Sequence, residues 1–199
     1  MFEDTIAKDW PFVRGDYTVV DPLSHICVVT LASDMNPLEN VCMIGSCKTE
    51  NLGIEKIIAN TITNVNIRYI LICGQESRGH LSGNTLLAVY KNGIDDNGRI
   101  IGSEGAIPFI ENIPVHAVER FRQQVELIDL RGLVDTQKIQ AIVEEYRSKG
   151  EPFSQPPLIL EFTKKKKRHS VQQEITHGDM MIASDILMDS VSGVIFTEE

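Results

Sequence analysis

The sequence predicts an α/β fold in which a mostly parallel central sheet is covered by helices on both faces. Three observations predict it. HICVVTLA (25–32), VCMIGSC (41–47) and IRYILICG (67–74) are continuous apolar runs, rich in β-branched residues, the pattern of strands buried on both sides. Segments with helical spacing of apolar residues lie between and after them. The 199 residues, 42% apolar and 24% charged, suffice for one domain with a sizeable core.

In chain order, the first 24 residues are polar and punctuated by Pro11 and Pro22, and read as an arm laid over the main body. The strand from His25 leads into the turn-rich SDMNPLEN, and the second strand ends at Gly45 and Ser46. Leu52, Ile54, Ile57, Ile58, Ile62 and Val65 then recur at helical spacing. The third strand closes at Gly74 and runs into QESRGHLSGNT, a polar, glycine-bearing loop before the helix TLLAVYKNG (85–93), which Gly93 stops. IIGSEGAIPFIENIP (100–114) has neither period and reads as an irregular apolar loop, a candidate ligand wall. Pro114 opens a helix over 114–124, and VELIDL (125–130) is a fourth strand. DTQKIQAIVEEYRSKG (135–150) is a helix with Asp135 as N-cap, Ile139, Ile142, Val143 and Tyr146 as its apolar face, and Gly150 as its stop. LILEF (158–162) adds an edge strand. Strands alternating with helices in this way make a Rossmann-like three-layer sandwich.

The folded domain is read as residues 1–163, and 164–199 as a basic linker and C-terminal tail. TKKKKRH (163–169) is a solvated tether, or a contact for anionic headgroups or an acidic partner. DMMIASDILMDSVSGVIF (179–196) has Met and Ile at helix-like spacing and reads as a docking helix or ordered tail.

Composition excludes several functions. A net charge of −9 and a pI near 5.1 argue against a nucleic-acid footprint. No apolar run is long enough to span a bilayer as a helix, and MFEDTIAKDWPF carries acids where a signal peptide needs a basic region. These features point to a cytoplasmic protein with at most peripheral membrane contact. Cys27 and Cys73 lie in buried runs, and Cys42 and Cys47 lack the spacing of a CxxC pair, so the thiols read as reduced and structural.

No two of His25, His80, His116, His169 and His177 stand at helical metal-pair spacing, and the chain has no HExxH, P-loop, GxSxG or GxGxxG. His80 stands apart by position. It follows a central strand on a glycine-rich loop, where α/β sheets place ligands. A lone imidazole makes a poor hydrolytic site without a nucleophile and an orienting partner, unless it acts as general base near Glu76 or Glu104. It suffices as one axial ligand to a metal already held in a macrocycle.

The segments PFVRGDYTVVDPLSHICVVTLAS (11–33) and ICGQESRGHLSGNTLLAVYKNGIDDNGRIIGSEGAIPFIENIP (72–114), with their GxxxxGHxxG and GxIPFIEN patterns, resemble the A subunit of the methanogen tetrahydromethanopterin S-methyltransferase. In that family the A subunit carries a corrinoid in a membrane-bound, sodium-pumping complex. The resemblance implies a cobamide, either cobalamin or the 5-hydroxybenzimidazolyl form, whose cobalt takes His80 as lower axial ligand. It implies Gly74, Gly79, Gly83, Gly105, Ala106 and Pro108 as close-approach residues along the corrin. The implied activity passes a methyl group from methyl-tetrahydromethanopterin, or another donor, through cobalt to the thiol of coenzyme M or another acceptor. The implied partners are other methyltransferase subunits or a methyl-donor or acceptor protein. Members of the family end in a transmembrane anchor, and this sequence shows none, so the resemblance leaves two readings: the soluble cytoplasmic domain alone, or, favoured by the tail after KKKKRH, a soluble paralogue acting outside the sodium-pumping complex. The alternative is an α/β small-molecule-binding or regulatory module without catalytic activity.

Overall fold

The computed structural model describes residues 5–160, 179–183, 186–189 and 195–197. The chain forms two compact units, 1–161 and 162–199. The first contains a five-stranded sheet ordered β1-β3-β2-β4-β5. Its strands are β1 (Tyr17–Val19), β2 (Ile26–Val29), β3 (Met43–Gly45), β4 (Tyr69–Gly74) and β5 (Glu126–Arg131). β3, β2, β4 and β5 run parallel, and β1 pairs antiparallel with β3. The helices are α1 (Leu52–Ile62), α2 (Ser82–Asn92), α3 (Val115–Gln124) and α4 (Thr136–Arg147). This is the expected Rossmann-like α/β sandwich.

The two-residue period of the strands builds the layers. Cys27 and Val29 of β2 and Ile70 and Ile72 of β4 face a core shared with Ile54 and Ile58 of α1, Leu86 and Val89 of α2, and Val118 and Phe121 of α3. Their alternates, Ile26, Val28, Leu71 and Cys73, face a second core with Ile139 and Val143 of α4. Both faces of the central strands are therefore buried, which is why those strands read as unbroken apolar runs. From β2 the chain steps outward to β3 and then back across to β4 on the other side. The crevice between the β2 and β4 loops is thus the topological switch point, where open α/β sheets bind ligands.

Several expectations need correction. The N-terminal arm packs on the body, with Trp10 Nε1 donating to Asn60 O at 2.8 Å and Val13 N donating to Asn60 Oδ1 at 2.8 Å. It also contains β1, whose three half-exposed residues carry too little pattern to announce a strand. α2 begins at Ser82, three residues ahead of the expected Thr85. Residues 158–160 of LILEF form no strand. Leu158 N bonds Ile62 O at 2.9 Å and Leu160 is buried, so the segment lies against the end of α1 instead. In the second unit, the segment expected as a docking helix contains β6 (Asp179–Ala183), β7 (Ile186–Asp189) and β8 (Ile195–Thr197), an antiparallel sheet ordered β6-β7-β8. Its apolar runs are too short between Asp185, Asp189 and Gly193 to make a continuous helical stripe. The basic run 164–168 lies outside the described residues.

The irregular segment after α2 owes its apolar content to its own fixation. Bridges join Ile94 to Ile100 and Arg99 to Phe109, and Ile100, Ile110 and Ile113 sit in the larger core. Gly98, at φ +80°, lets Ile110 O approach where a Cβ would stand 2.4 Å from it.

Candidate functional site

His80 lies on the loop 75–81 that leaves β4 at the switch point. The loop is fixed at both ends. At its start Gly74 has φ +81°, and a Cβ there would stand 2.1 Å from Thr30 O. Ala32 N bonds Gln75 O at 3.0 Å, and Gln75 N bonds Ser33 Oγ at 2.9 Å, which tie the loop to the one after β2. In the middle, His80 N and Leu81 N both bond Ser77 O, at 3.2 and 2.9 Å.

At the far end the chain enters α2 through Leu81, in the left-handed region at φ +46° and without a side-chain cap of its own. Glu76 supplies the cap. Its carboxylate accepts from Gly83 N at 2.9 Å and from Asn84 N at 2.7 Å, satisfying two amides the helix cannot pair internally. Arg131 reaches Glu76 at 3.4 Å and grips Asp129 with two hydrogen bonds of 2.8 Å. That grip, above all its hydrogen bonds, holds the Asp129 carboxyl below the usual range and raises the Arg131 guanidinium.

The imidazole of His80 meets a partner from thirty residues upstream. Glu50, on the loop between β3 and α1, places Oε2 2.6 Å from His80 Nδ1. The Glu50 side chain is 2% exposed and the His80 ring 50%. Glu50 Oε1 accepts from Ile107 N at 2.7 Å. Burial pushes the Glu50 carboxyl up, but hydrogen bonds from its own amide, from Ile107 N and from His80 outweigh that and leave it below the ordinary value. An ionised carboxylate only accepts, so in the neutral ring the Glu50 contact assigns the proton to Nδ1 and leaves the lone pair on Nε2.

The segment 103–108 forms the other wall. Gly105 passes so close that a Cβ would stand 2.6 Å from His80 O and 2.9 Å from Glu50 Cβ. Thr85 Oγ1 and Ser103 Oγ are 2.7 Å apart, and Glu104 N donates to Asn84 Oδ1 at 3.0 Å, pinning this wall to α2. Its far end is held by Glu55, which accepts from Glu111 N at 2.6 Å and from Asn112 N at 2.9 Å.

The structure therefore gathers His80, Gly79, Gly105, Ala106 and Glu50 about one exposed ring. Gly79, at φ +78°, has nothing beyond its chain neighbours within 4 Å of where a Cβ would be, and half of the neighbouring His80 side chain is exposed. Ala106 is exposed and Ile107 is 61% exposed beside it, whereas Pro108 is buried with its carbonyl accepting from Ile100 N. The space near Gly74 and Gly83 is filled by the protein itself: Thr30 and Ser33 at the first, Arg131, Glu76 and Leu31 at the second. The carboxylate on His80 is Glu50 and not the expected Glu76 or Glu104, because Glu76 is committed to the amides of α2. Sequence reasoning missed Glu50. Nothing in CKTENL marks it, and only the parallel pairing of β3, β2 and β4 brings the β3 and β4 loops to one edge.

The remaining candidates are structural. His25 Nδ1 lies 2.7 Å from Asn66 O. All four thiols are free and buried. Burial pushes Cys47 up to about 12 and Cys73 up to about 11, and the hydrogen bond with Cys27, with burial, raises Cys42 as well, so these three stay protonated at neutral pH. Among the described residues no three His, Cys, Asp or Glu converge to cage a metal ion, and no helix is long and apolar enough to cross a membrane. What the site offers is a single oriented nitrogen with open space beside it, the donor set that suits a metal whose other positions a macrocycle fills.

Comparison with known proteins places this architecture among relatives. The family of the A subunit of tetrahydromethanopterin S-methyltransferase matches residues 3–170. A Methanosarcina barkeri protein, provisionally named as the A subunit of a methyltransferase Mtx, is 56% identical over 192 residues, 96% of either chain. Its Methanosarcina acetivorans counterpart is 53% identical over 98% of either chain. The tetrahydromethanopterin S-methyltransferase A subunit of Methanosphaera stadtmanae is 41% identical over 92% of this chain and 77% of its own.

Proposed function

The chain belongs to the family of the tetrahydromethanopterin S-methyltransferase A subunit, and from that premise we propose that it is the corrinoid carrier of a methyl-transfer system. The observation that carries the reading is the exposed His80 ring, held through Nδ1 by the buried Glu50 carboxylate with Nε2 left free. A cobamide bound there would supply the cobalt that accepts and releases the methyl group.

The chain's own residues do the rest. Glu50 fixes the tautomer and the orientation of His80, as an acidic partner does for a metal-ligating histidine. Gly79 keeps the flank of the ring clear, and Ala106 and Ile107 offer an apolar edge to a flat macrocycle. The Glu76 cap and the Gly74 turn keep the loop ends in place, so the ring does not wander with the loop. Gly74, Gly83 and Pro108 act on this reading by shaping the walls. Residues 1–163 would form the corrinoid domain and 164–199 the basic linker and tail. Methyl-tetrahydromethanopterin and coenzyme M, or another methyl donor and thiol, would be the ends of the transfer, with other methyltransferase subunits in the cytoplasm as partners.

The test is a visible spectrum. Cobalamin or the 5-hydroxybenzimidazolyl form, added to the apoprotein, should change from the base-on spectrum to a histidine-ligated one. His80→Ala should abolish that change while leaving the fold intact by circular dichroism. The same spectral change in His80→Ala as in the wild type would overturn axial ligation.

A further inference from the structure

On the face of the sheet that α4 covers, the loops that follow β2 and β5 flank a cavity of about 470 Å³. Ser33, Asp34, Met35 and Asn36 line it from one side, Val134 and Thr136 from the other. Ser33, Asp34 and Met35 also border a second cavity of about 170 Å³, which reaches over to Asp16 and Ser46. The larger space is of small-molecule size.

Both walls are fixed before anything enters. On the β2 side, Thr30 N donates to Gly45 O at 2.9 Å and Ser33 N to Thr30 O at 3.0 Å. The Met35 sulfur lies 3.9 Å from the buried Cys73 thiol. On the β5 side, Gly74 N donates to Leu133 O at 2.8 Å, and Asp135 caps α4 by accepting from Gln137 N and Lys138 N. Preformed walls lose little freedom when a ligand binds.

Inside this frame several hydrogen-bonding groups are unused. Ser33 Oγ accepts from Gln75 N, Asp16 accepts from Ser46 Oγ at 2.8 Å, and Asp135 is committed to its helix. The side chains of Asp34, Asn36 and Thr136 have no hydrogen bond or ion pair among the described residues. No lysine, arginine or histidine lines either cavity. A carboxylate left uncompensated in such a frame attracts a cation. Met35 and Val134, the latter 51% exposed, add an apolar surface beside it.

We propose that this cavity binds a small planar cation whose edge presents two N–H groups on one carbon, as an amidine, a guanidine or a protonated 2-amino heterocycle does. Asp34 accepts both N–H groups, and the flat body lies on Met35 and Val134. Asn36 and Thr136 meet the remaining polar atoms. The site shares no residue with the His80 ring and its Glu50 partner, and it stands whether or not the chain carries a corrinoid. It touches the His80 loop at its first residue, because Ser33 holds the Gln75 amide. An arginine of a partner protein carries the same edge, so the experiment separates that source from a free molecule.

The ¹⁵N-labelled full chain is titrated with benzamidine, with its uncharged analogue benzamide and with N-acetylarginine amide, and amide shifts are followed by NMR. Benzamidine should bind at about 1 mM, within reach of so small a ligand, and shift the amides of Asp34, Asn36, Val134, Thr136 and Gln75. Benzamide should bind about fivefold or more weakly, for want of the charge. Asp34→Asn keeps the shape of the side chain and should weaken benzamidine about fivefold to tenfold. Val134→Ser should weaken it about twofold to threefold. Equal affinity for benzamidine and benzamide would overturn the proposal, as would an Asp34→Asn chain that binds benzamidine like the wild type. So would shifts scattered over acidic surface positions such as Glu144 and Glu145, the mark of a cation drawn only by the net charge of −9. N-acetylarginine amide should bind about threefold or more weakly than benzamidine, since it has no ring to lay on the apolar wall. Equal affinity for the two, with the same dependence on Asp34, would overturn the small-molecule assignment in favour of a partner's arginine.

Discussion

Replacing Glu50 with Gln tests the site at its centre. The side chain keeps its size, so Ile107 N retains an oxygen to bond, but the atom facing His80 becomes an amide nitrogen. That nitrogen donates, and the ring can meet it only by moving its proton from Nδ1 to Nε2. The tautomer that results has no lone pair where a metal would bind. The lost contact is charge-assisted, with one partner 2% and the other 50% exposed. Bonds to charged groups contribute about 1.5–3 kcal/mol, and exposure of the imidazole screens this one to about 1–2 kcal/mol. That is about fivefold to thirtyfold in the population of the ligand-competent ring, overlapping the lower part of the loss of about tenfold to a hundredfold typical when the outer partner of a metal-bound histidine is removed. The assay has two arms: ¹⁵N chemical shifts of the His80 ring in the apoprotein, and affinity for cobamide by titration. Glu50→Gln should move the ring to the Nε2–H form and weaken cobamide by that factor. An unchanged tautomer together with unchanged affinity would refute the reasoning. The pH dependence follows from the same group. The folded Glu50 carboxyl lies below its ordinary value of 4.5, so its stabilising contribution is complete well above pH 4.5 and is lost as pH falls through the folded value. Glu50→Gln should lose less stability than the wild type between pH 6 and pH 3, a difference that urea denaturation at each pH measures.

Other substitutions separate the roles of neighbouring residues. Gly79→Ala meets open space and suffers only the left-handed strain, about 1 kcal/mol, whereas Gly74→Ala drives a methyl into Thr30 O and should cost well over about 2 kcal/mol; chemical denaturation ranks the two. Glu76→Ala strips the cap from α2 and should cost about 1–2 kcal/mol, with faster amide exchange at Gly83 and Asn84, while Glu104→Ala should leave both unchanged. The four buried thiols, with Cys47 near 12 and Cys73 near 11, should resist iodoacetamide at pH 8 in the native protein and react fully in denaturant. Rapid labelling of any one in the native state would contradict that burial.

The parts of the fold that are legible in the sequence are so for a physical reason. β2 and β4 are covered on both faces, so every residue in them is apolar and no alternation hides the run. Asp135 is legible because it caps α4 locally, accepting from Gln137 N and Lys138 N. The misses share a different cause, since each depends on something distant in sequence. β1 exists only because β3 lies beside it, and its Tyr17-Thr18-Val19 carries no pattern of its own. The early start of α2 depends on a cap reaching across from Glu76, so a search for an N-cap next to the helix cannot place it. The tail strands escape the pattern because Met and Ile at mixed spacing fit a short helix as well as short strands. At the site, His80 is visible from its glycine-flanked place after a buried strand. Glu50 is invisible, because its meaning comes from the order in which strands are laid side by side and not from its neighbours in the chain.

The cap that Glu76 provides has a consequence for how this region can change. An ordinary surface loop absorbs an inserted or deleted residue by bulging, and the elements on either side do not notice. Here the loop's second residue is also the end-piece of the helix that follows it. One residue more or fewer between Glu76 and Gly83 would pull the carboxylate off two backbone amides and unseat the first turn of α2, carrying the imidazole with it. The length of this stretch is therefore as constrained as the Glu76 and His80 side chains it carries.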